Sequence, residues 1–340
     1  MSFVVRLARE KDAPALLDLA RQFSLLNLPA DKRSIAEKID KSLKSERGQL
    51  PKERCEYLFV VEDSDSHLLA GSSQLKAKNG SPQIPNYSFR VIKKELFSKS
   101  LGVGFIHQIL RLKADEDGPT EVGGLVVDRA YRSRPEKVGK LVSLARFNYI
   151  ASFRDRFEKQ LLAQMAPPLT DEGRSEFWEA LGRRFTGMPY KEADRLSQAD
   201  KEFIRSLFPQ EDIYLCLLDP RARLVMGRVE PQTQPALHLL ESIGFQYLNE
   251  VDPFDGGPQM GVATEECTLV ASSLRCQYTK DLSADFSGSA IVSIVDEAGY
   301  RATSTAYKVL DNQVVLPDHA VKSLKIEANM NVMVTPIEKG

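Results

Sequence analysis

Apolar positions recur at helical spacing from Glu10 to Phe23, through Ala13, Leu16, Leu17, Leu19 and Ala20, and again from Asp31 to Leu43, through Ile35, Ile39 and Leu43. A short β-branched run, Val4–Leu7, precedes them and reads as a first strand. Tyr57–Glu62 is a continuous apolar run of strand length. Asp63–His67 supplies turn residues, and Leu69–Ala77 is its expected hairpin partner. Glu121–Asp128 reads as the next strand and Lys137–Ser152 as the helix after it. Strand, two helices, hairpin and strand form the layout of an α+β half.

From Trp178 a weaker echo begins. Lys191–Arg195 is followed by an expected helix at Gln198–Leu207, an apolar strand at Ile213–Leu218, its partner at Leu224–Val229 and a helix at Pro235–Ser242. The order suggests a duplication, with Pro167-Pro168 and Asp171-Glu172-Gly173 as the boundary. Beyond Cys276 the pattern turns to short strands at Ala290–Val295, Arg301–Lys308, Gln313–Leu316 and Asn331–Thr335. Turns fall at Gly299, Asp311-Asn312 and Ala328-Asn329. The expected divisions are therefore 1–166, 167–276 and a small β-rich segment at 277–340, close to the smallest size that keeps a core alone and so expected to lean on the rest.

Composition narrows the function. In 340 residues, 46 Lys and Arg nearly cancel 47 Asp and Glu, which points away from a nucleic-acid surface or a basic membrane anchor. The longest apolar runs, such as Val122–Val127, are far short of a membrane span. The N-terminus does not read as a secretory signal. Cys55, Cys216, Cys267 and Cys276 lack metal-ligand spacing and His67, His107, His238 and His319 are scattered, so neither a disulfide frame nor a metal site is expected. A cytoplasmic protein is the expectation.

The run from Met226 to Phe245 reads as a strand end, a polar turn, an amphipathic helix and a Gly-Phe exit. With Ala236, Leu239, Leu240, Gly244 and Phe245 at their spacings, it resembles the segment beside pantothenate in the GNAT N-acetyltransferases. Acyl transfer to an amine needs a cradle for the coenzyme's phosphates, a donor for the thioester carbonyl and a base for the ammonium proton. Arg134, Lys137, Val138 and Gly139 open a helix after a strand, in register with the acetyltransferase phosphate loop, although Lys137 stands where that loop has its middle glycine. A plain turn with solvated arginines is the competing reading. Leu125, Val126 and Val127, at the strand's end, can offer backbone groups to the thioester and pantothenate arm. Glu230 follows an apolar strand and precedes Pro231, which makes it a candidate base or a solvated turn residue. Asp252 and Asp255 sit in a glycine-rich turn. Asp255 is a candidate contact for a cationic substrate, and a structural turn is the alternative.

Taken over nearly its whole length, the chain resembles the arginine N-succinyltransferase family. The resemblance rests on Tyr57-Leu58-Phe59-Val60-Val61-Glu62-Asp63, Tyr131-Arg132, Arg146-Phe147, the run Asp171–Phe185, Ala193-Asp194 with Leu196-Ser197, Gly227-Arg228-Val229, Pro231-Gln232-Thr233, Gly244-Phe245 and Phe254-Asp255-Gly256-Gly257-Pro258. It implies two acyl-CoA N-acyltransferase (GNAT-like) halves, succinyl-CoA as co-substrate with no permanently bound cofactor, L-arginine or a related basic amino acid as acceptor, and Leu125 on the succinyl-CoA site. Three departures accompany it. Glu230 stands where the family has its proton-transferring His, Gly123-Gly124 where it has Cys-Thr, and Leu26-Asn27 where it has Thr and Ser or Thr. The alternatives are a non-catalytic or regulatory paralogue, and an N-acyltransferase using ornithine or acetyl-CoA. A homo-oligomer is compatible with all of these.

Overall fold

The computed structural model describes residues 2–23, 28–197, 200–280, 285–286 and 288–337. Leu26-Asn27, and the start of the helix expected at Gln198, lie outside the described residues. The chain forms two compact units from interleaved segments: 1–78, 122–159 and 263–340 make the first, and 79–121 with 160–262 the second.

In the first unit, Phe3–Leu7 pairs antiparallel with Glu56–Asp63, which pairs with Leu69–Lys76, as the alternation suggested. Helices Ala13–Arg21 and Lys32–Glu46 bury Leu16, Leu19, Ile35 and Ile39 against Leu58 and Val60. Asp31 caps the second helix, its carboxylate accepting from Ser34 N at 2.8 Å. The helix Val138–Ser152 is buried nearly all round, which suits an element covered on more than one side. Tyr149 packs on Tyr57, Phe59 and Tyr300.

The C-terminal strands do more than lean. Gly288–Asp296, Asn331–Ile337, Leu274–Tyr278, Gln313–Val315 and Gly299–Leu310 follow one another in a sheet, and the first and last of these five also pair, so they close into a ring. Ala290, Val292, Ile294, Val314, Val332 and Val334 fill it. Gly299–Leu310 also pairs with Phe3–Leu7, Val5 opposite Ala302, which makes the ring part of the N-terminal sheet.

In the second unit the largest element is a hairpin the sequence reading left unassigned. Asn86–Ser98 and Val103–Asp115 are paired without a break from Asn86↔Asp115 to Ser98↔Val103. Gln246–Val251 adds beside Asn86–Ser98, and Pro258–Ala263 beside Gln246–Val251. Ile213–Leu218 is a strand only at Ile213–Tyr214 before a 3₁₀ turn, and the expected partner at Leu224–Val229 is replaced by a helix, Pro220–Val225. The reason is local: Asp219 caps that helix, accepting from Arg221 N at 2.9 Å, and Pro220 presets its first turn. Lys191–Arg195 lies within a helix, Tyr190–Ser197. Phe89, Phe177, Trp178, Phe208 and Phe254 form this unit's core.

Candidate active site

Thr120–Val127 carries the expected coenzyme strand, and its centre is irregular. Gly124 sits at φ +61°, and a Cβ there would lie 2.9 Å from Gln74 Cβ. A left-handed residue inside a strand re-aims the backbone, and only glycine adopts it without cost. Val126 is buried, while Leu125 and Val127 are half-buried. Beneath this bend Arg146 is buried, donating from Nη1 to Gly123 O at 2.9 Å and from Nε and Nη2 to Ser143 O and Oγ. Burial pushes its guanidinium down to about 9. Arg146 carries part of the resemblance with no role attached to it; a charged residue within an apolar helical run is the signal that marks it.

The strand leads into a loop held by its own arginines. Arg132 Nε donates to Val127 O at 3.1 Å, and Arg134 lies 4.4 Å above the Tyr131 ring. Lys137, where the acetyltransferase loop has glycine, takes the glycine-like conformation, φ +49°, at the N-cap of Val138–Ser152. Gly139 passes close to Val127, a Cβ being 3.3 Å from Cγ2. The first turn of this long helix offers free N–H groups and a positive dipole end. Beside it is a cavity of about 400 Å³ lined by Lys137, Lys140, Leu141, Ser289, Ile291 and Ser304. These positions can receive an anionic phosphate chain and a thioester laid along the strand.

Glu230 and Asp255 belong to the second unit. Glu230 N donates to Ala166 O at 2.8 Å, and Glu230 O accepts from Thr233 N and Oγ1 at 2.9 Å. Its half-buried carboxylate caps nothing and makes no hydrogen bond or ion pair among the described residues. The Gly227 N–H donates to Gly256 O at 2.8 Å, tying the Glu230 segment to the Asp252–Gly257 turn. In that turn Asp252 Oδ1 accepts from Phe254 N and Asp255 N, and Asp255 Oδ1 from Gly257 N. Gly257 is there because a Cβ would meet Met165 O at 2.2 Å. Burial, then the charge of Asp252, pushes the Asp255 carboxyl well up. Asp194, part of a motif that carries the resemblance but with no role expected of it, is 8% exposed; burial and Asp252 push it up to about 7. Glu121 is buried rather than solvated. Among the described residues no group of His, Cys, Asp or Glu side chains is placed to hold a metal ion, and no helix is long and apolar enough to cross a membrane.

Known proteins are similar to this chain. The family model described as arginine N-succinyltransferase beta subunit matches residues 3–269. The arginine N-succinyltransferase of Citrobacter koseri is 39% identical over 269 residues, 78% of this chain and 76% of that one. The arginine N-succinyltransferase subunit beta of Pseudomonas aeruginosa is 33% identical over 337 residues, 98% of each. The solved structure of arginine/ornithine succinyltransferase subunit AI from Pseudomonas aeruginosa superposes with a TM-score of 0.84 at 27% identity, covering 99% of both chains. The chain belongs to the arginine N-succinyltransferase beta subunit family.

Proposed function

We propose that the protein is an acyl-CoA-dependent N-acyltransferase that moves the succinyl group of succinyl-CoA to the α-amine of L-arginine. The observation that carries this reading is the glycine-bent strand running into a phosphate-type loop and helix, in a chain related over its whole length to enzymes named for that reaction. Backbone groups of Leu125, Val126 and Val127 hold the pantothenate arm and thioester carbonyl. Arg134, Lys137, Val138 and Gly139 hold the phosphates. Glu230 takes the ammonium proton, directly or through a water. The freed amine attacks the thioester carbon, the C–S bond breaks, and the coenzyme leaves as a thiolate that takes a proton. Asp255 contacts the positive charge of the acceptor. Succinyl-CoA is consumed as a co-substrate, and the protein works in the cytoplasm, as a homo-oligomer in one form of this reading.

The test is free-thiol release from the purified protein with succinyl-CoA or acetyl-CoA against arginine, ornithine and neutral amines. Succinyl-CoA with arginine is expected to be fastest. The name of the superposed Pseudomonas subunit, arginine/ornithine succinyltransferase, favours ornithine as the second acceptor. No release with any pair, despite coenzyme binding by calorimetry, would replace this reading with a regulatory paralogue. Glu230→Gln is expected to lower kcat about a hundredfold or more with the fold intact, and a change within about threefold removes Glu230 as the base.

A further inference from the structure

Helix Tyr190–Ser197 places Tyr190 and Asp194 one turn apart, so both side chains leave the same face. Both are buried, at 6% and 8% exposed, and both act on the Asp252–Gly257 turn. Tyr190 packs in the same core as Phe254 of that turn, its hydroxyl favours the charged form of the Asp255 carboxyl, and Asp194 feels the charge of Asp252. Asp252 and Asp255 spend one oxygen each on the turn's own N–H groups. Asp194 spends none: its Oδ2 is sealed from water and has no hydrogen-bond partner among the described residues.

A carboxyl oxygen in that state is costly, because it has lost water and gained nothing. Three carboxyls drawn together raise the cost further through mutual repulsion. Among the charges acting on Asp252 are Glu121, which adds to the repulsion, and the half-buried Lys201, which offsets part of it. One cation beside Asp252 leaves the Asp194 oxygen unanswered. A guanidinium or ammonium carries several N–H donors on one positive charge and meets both needs.

We propose that Asp194, Asp252 and Asp255 form a receptor for an organic cation, and that Asp194 is the residue that makes the acceptor site prefer a positively charged side chain over a neutral one. This rests on the acyltransferase reading, which it extends by naming the part of the acceptor that is recognised. The Gly227–Gly256 bond joins this receptor to the segment that carries Glu230. A basic amino acid held by its side-chain cation then presents its α-amine to a neighbouring base.

The experiment compares arginine with citrulline, which replaces the guanidinium by a neutral ureido group of nearly the same shape. For Asp194→Asn, the ratio of kcat/KM for arginine to that for citrulline is expected to fall about thirtyfold or more, carried mainly by KM for arginine. Asp194→Glu, which keeps the charge, is expected to recover part of it. Calorimetry of arginine with the parent protein is expected to show proton release, seen as a heat that depends on the buffer, because the cation makes the shared carboxyls ionise. An unchanged arginine-to-citrulline ratio in a folded Asp194→Asn protein overturns the proposal, as does a parent that does not bind arginine at all. A parent that binds arginine but releases no thiol leaves the receptor standing and removes the transferase reading.

Discussion

Among single residues, the acids of the second unit carry the sharpest consequence. An aspartate whose folded pKa is raised binds more protons folded than unfolded between its ordinary value and the raised one. Stability must therefore fall as pH rises through that window and level off above it. For Asp194 the window runs from the ordinary carboxylate value to about 7. In ligand-free protein, Asp194→Asn is expected to melt progressively higher than the parent as pH goes from 5 to 7. The gap should reach on the order of 5 °C, measured by calorimetry or circular dichroism. A gap that stays constant with pH would mean that Asp194 is ionised in the fold at no cost. The sequence offered Asp255 through its glycine turn, since glycines after an acid announce a tight backbone. It offered Asp194 only as part of the resemblance, with no role, because an acid on a short helix looks solvated until its neighbours in space are known.

Elements were legible where the pattern was local. Asp31 before Lys32–Glu46, and the apolar spacing of Ala13–Arg21, announced both helices within a few residues. The Asn86–Asp115 hairpin was missed for a physical reason: Leu96, Phe97, Phe105 and Ile106 are exposed, and they lie on both faces of the ribbon, so no period-two alternation exists to be read. The strand Thr120–Val127 was found, but its bend was not, and the bend gives it a task. Gly124→Ala would place a methyl 2.9 Å from Gln74 Cβ, an atom fixed by its own strand, at a φ that alanine avoids. The cost is expected to be about 2–3 kcal/mol of stability, read from denaturant unfolding. If the strand holds the thioester arm, the same variant should raise KM for succinyl-CoA severalfold while leaving KM for arginine nearly unchanged. Equal effects on both substrates would show that the bend serves the fold alone.

For the molecule as a whole, sequence order misleads because pairing joins distant segments. The expectation of a C-terminal segment leaning on the rest captured its β character but not its structural weight. Thr303 Oγ1 donates to Phe3 O at 2.7 Å, and Tyr300 Oη donates to Ala145 O and Asn148 Oδ1 at 3.0 and 2.9 Å. Asn148 in turn donates to Thr335 Oγ1 at 2.9 Å. These groups are buried, so removing the ring would leave Asn148 and the edge of Phe3–Leu7 without partners and would expose a face of the helix Val138–Ser152. The family model ends at residue 269, which makes a chain ending at Ser273 look sufficient. Such a chain is expected to be insoluble, or to melt without a cooperative transition. Tyr300→Phe, in the full chain, should cost about 1–3 kcal/mol because it leaves buried acceptors unpaired. A soluble, cooperatively melting chain that ends at Ser273 and still binds coenzyme would show that the ring is dispensable and that the long helix is ordered without it.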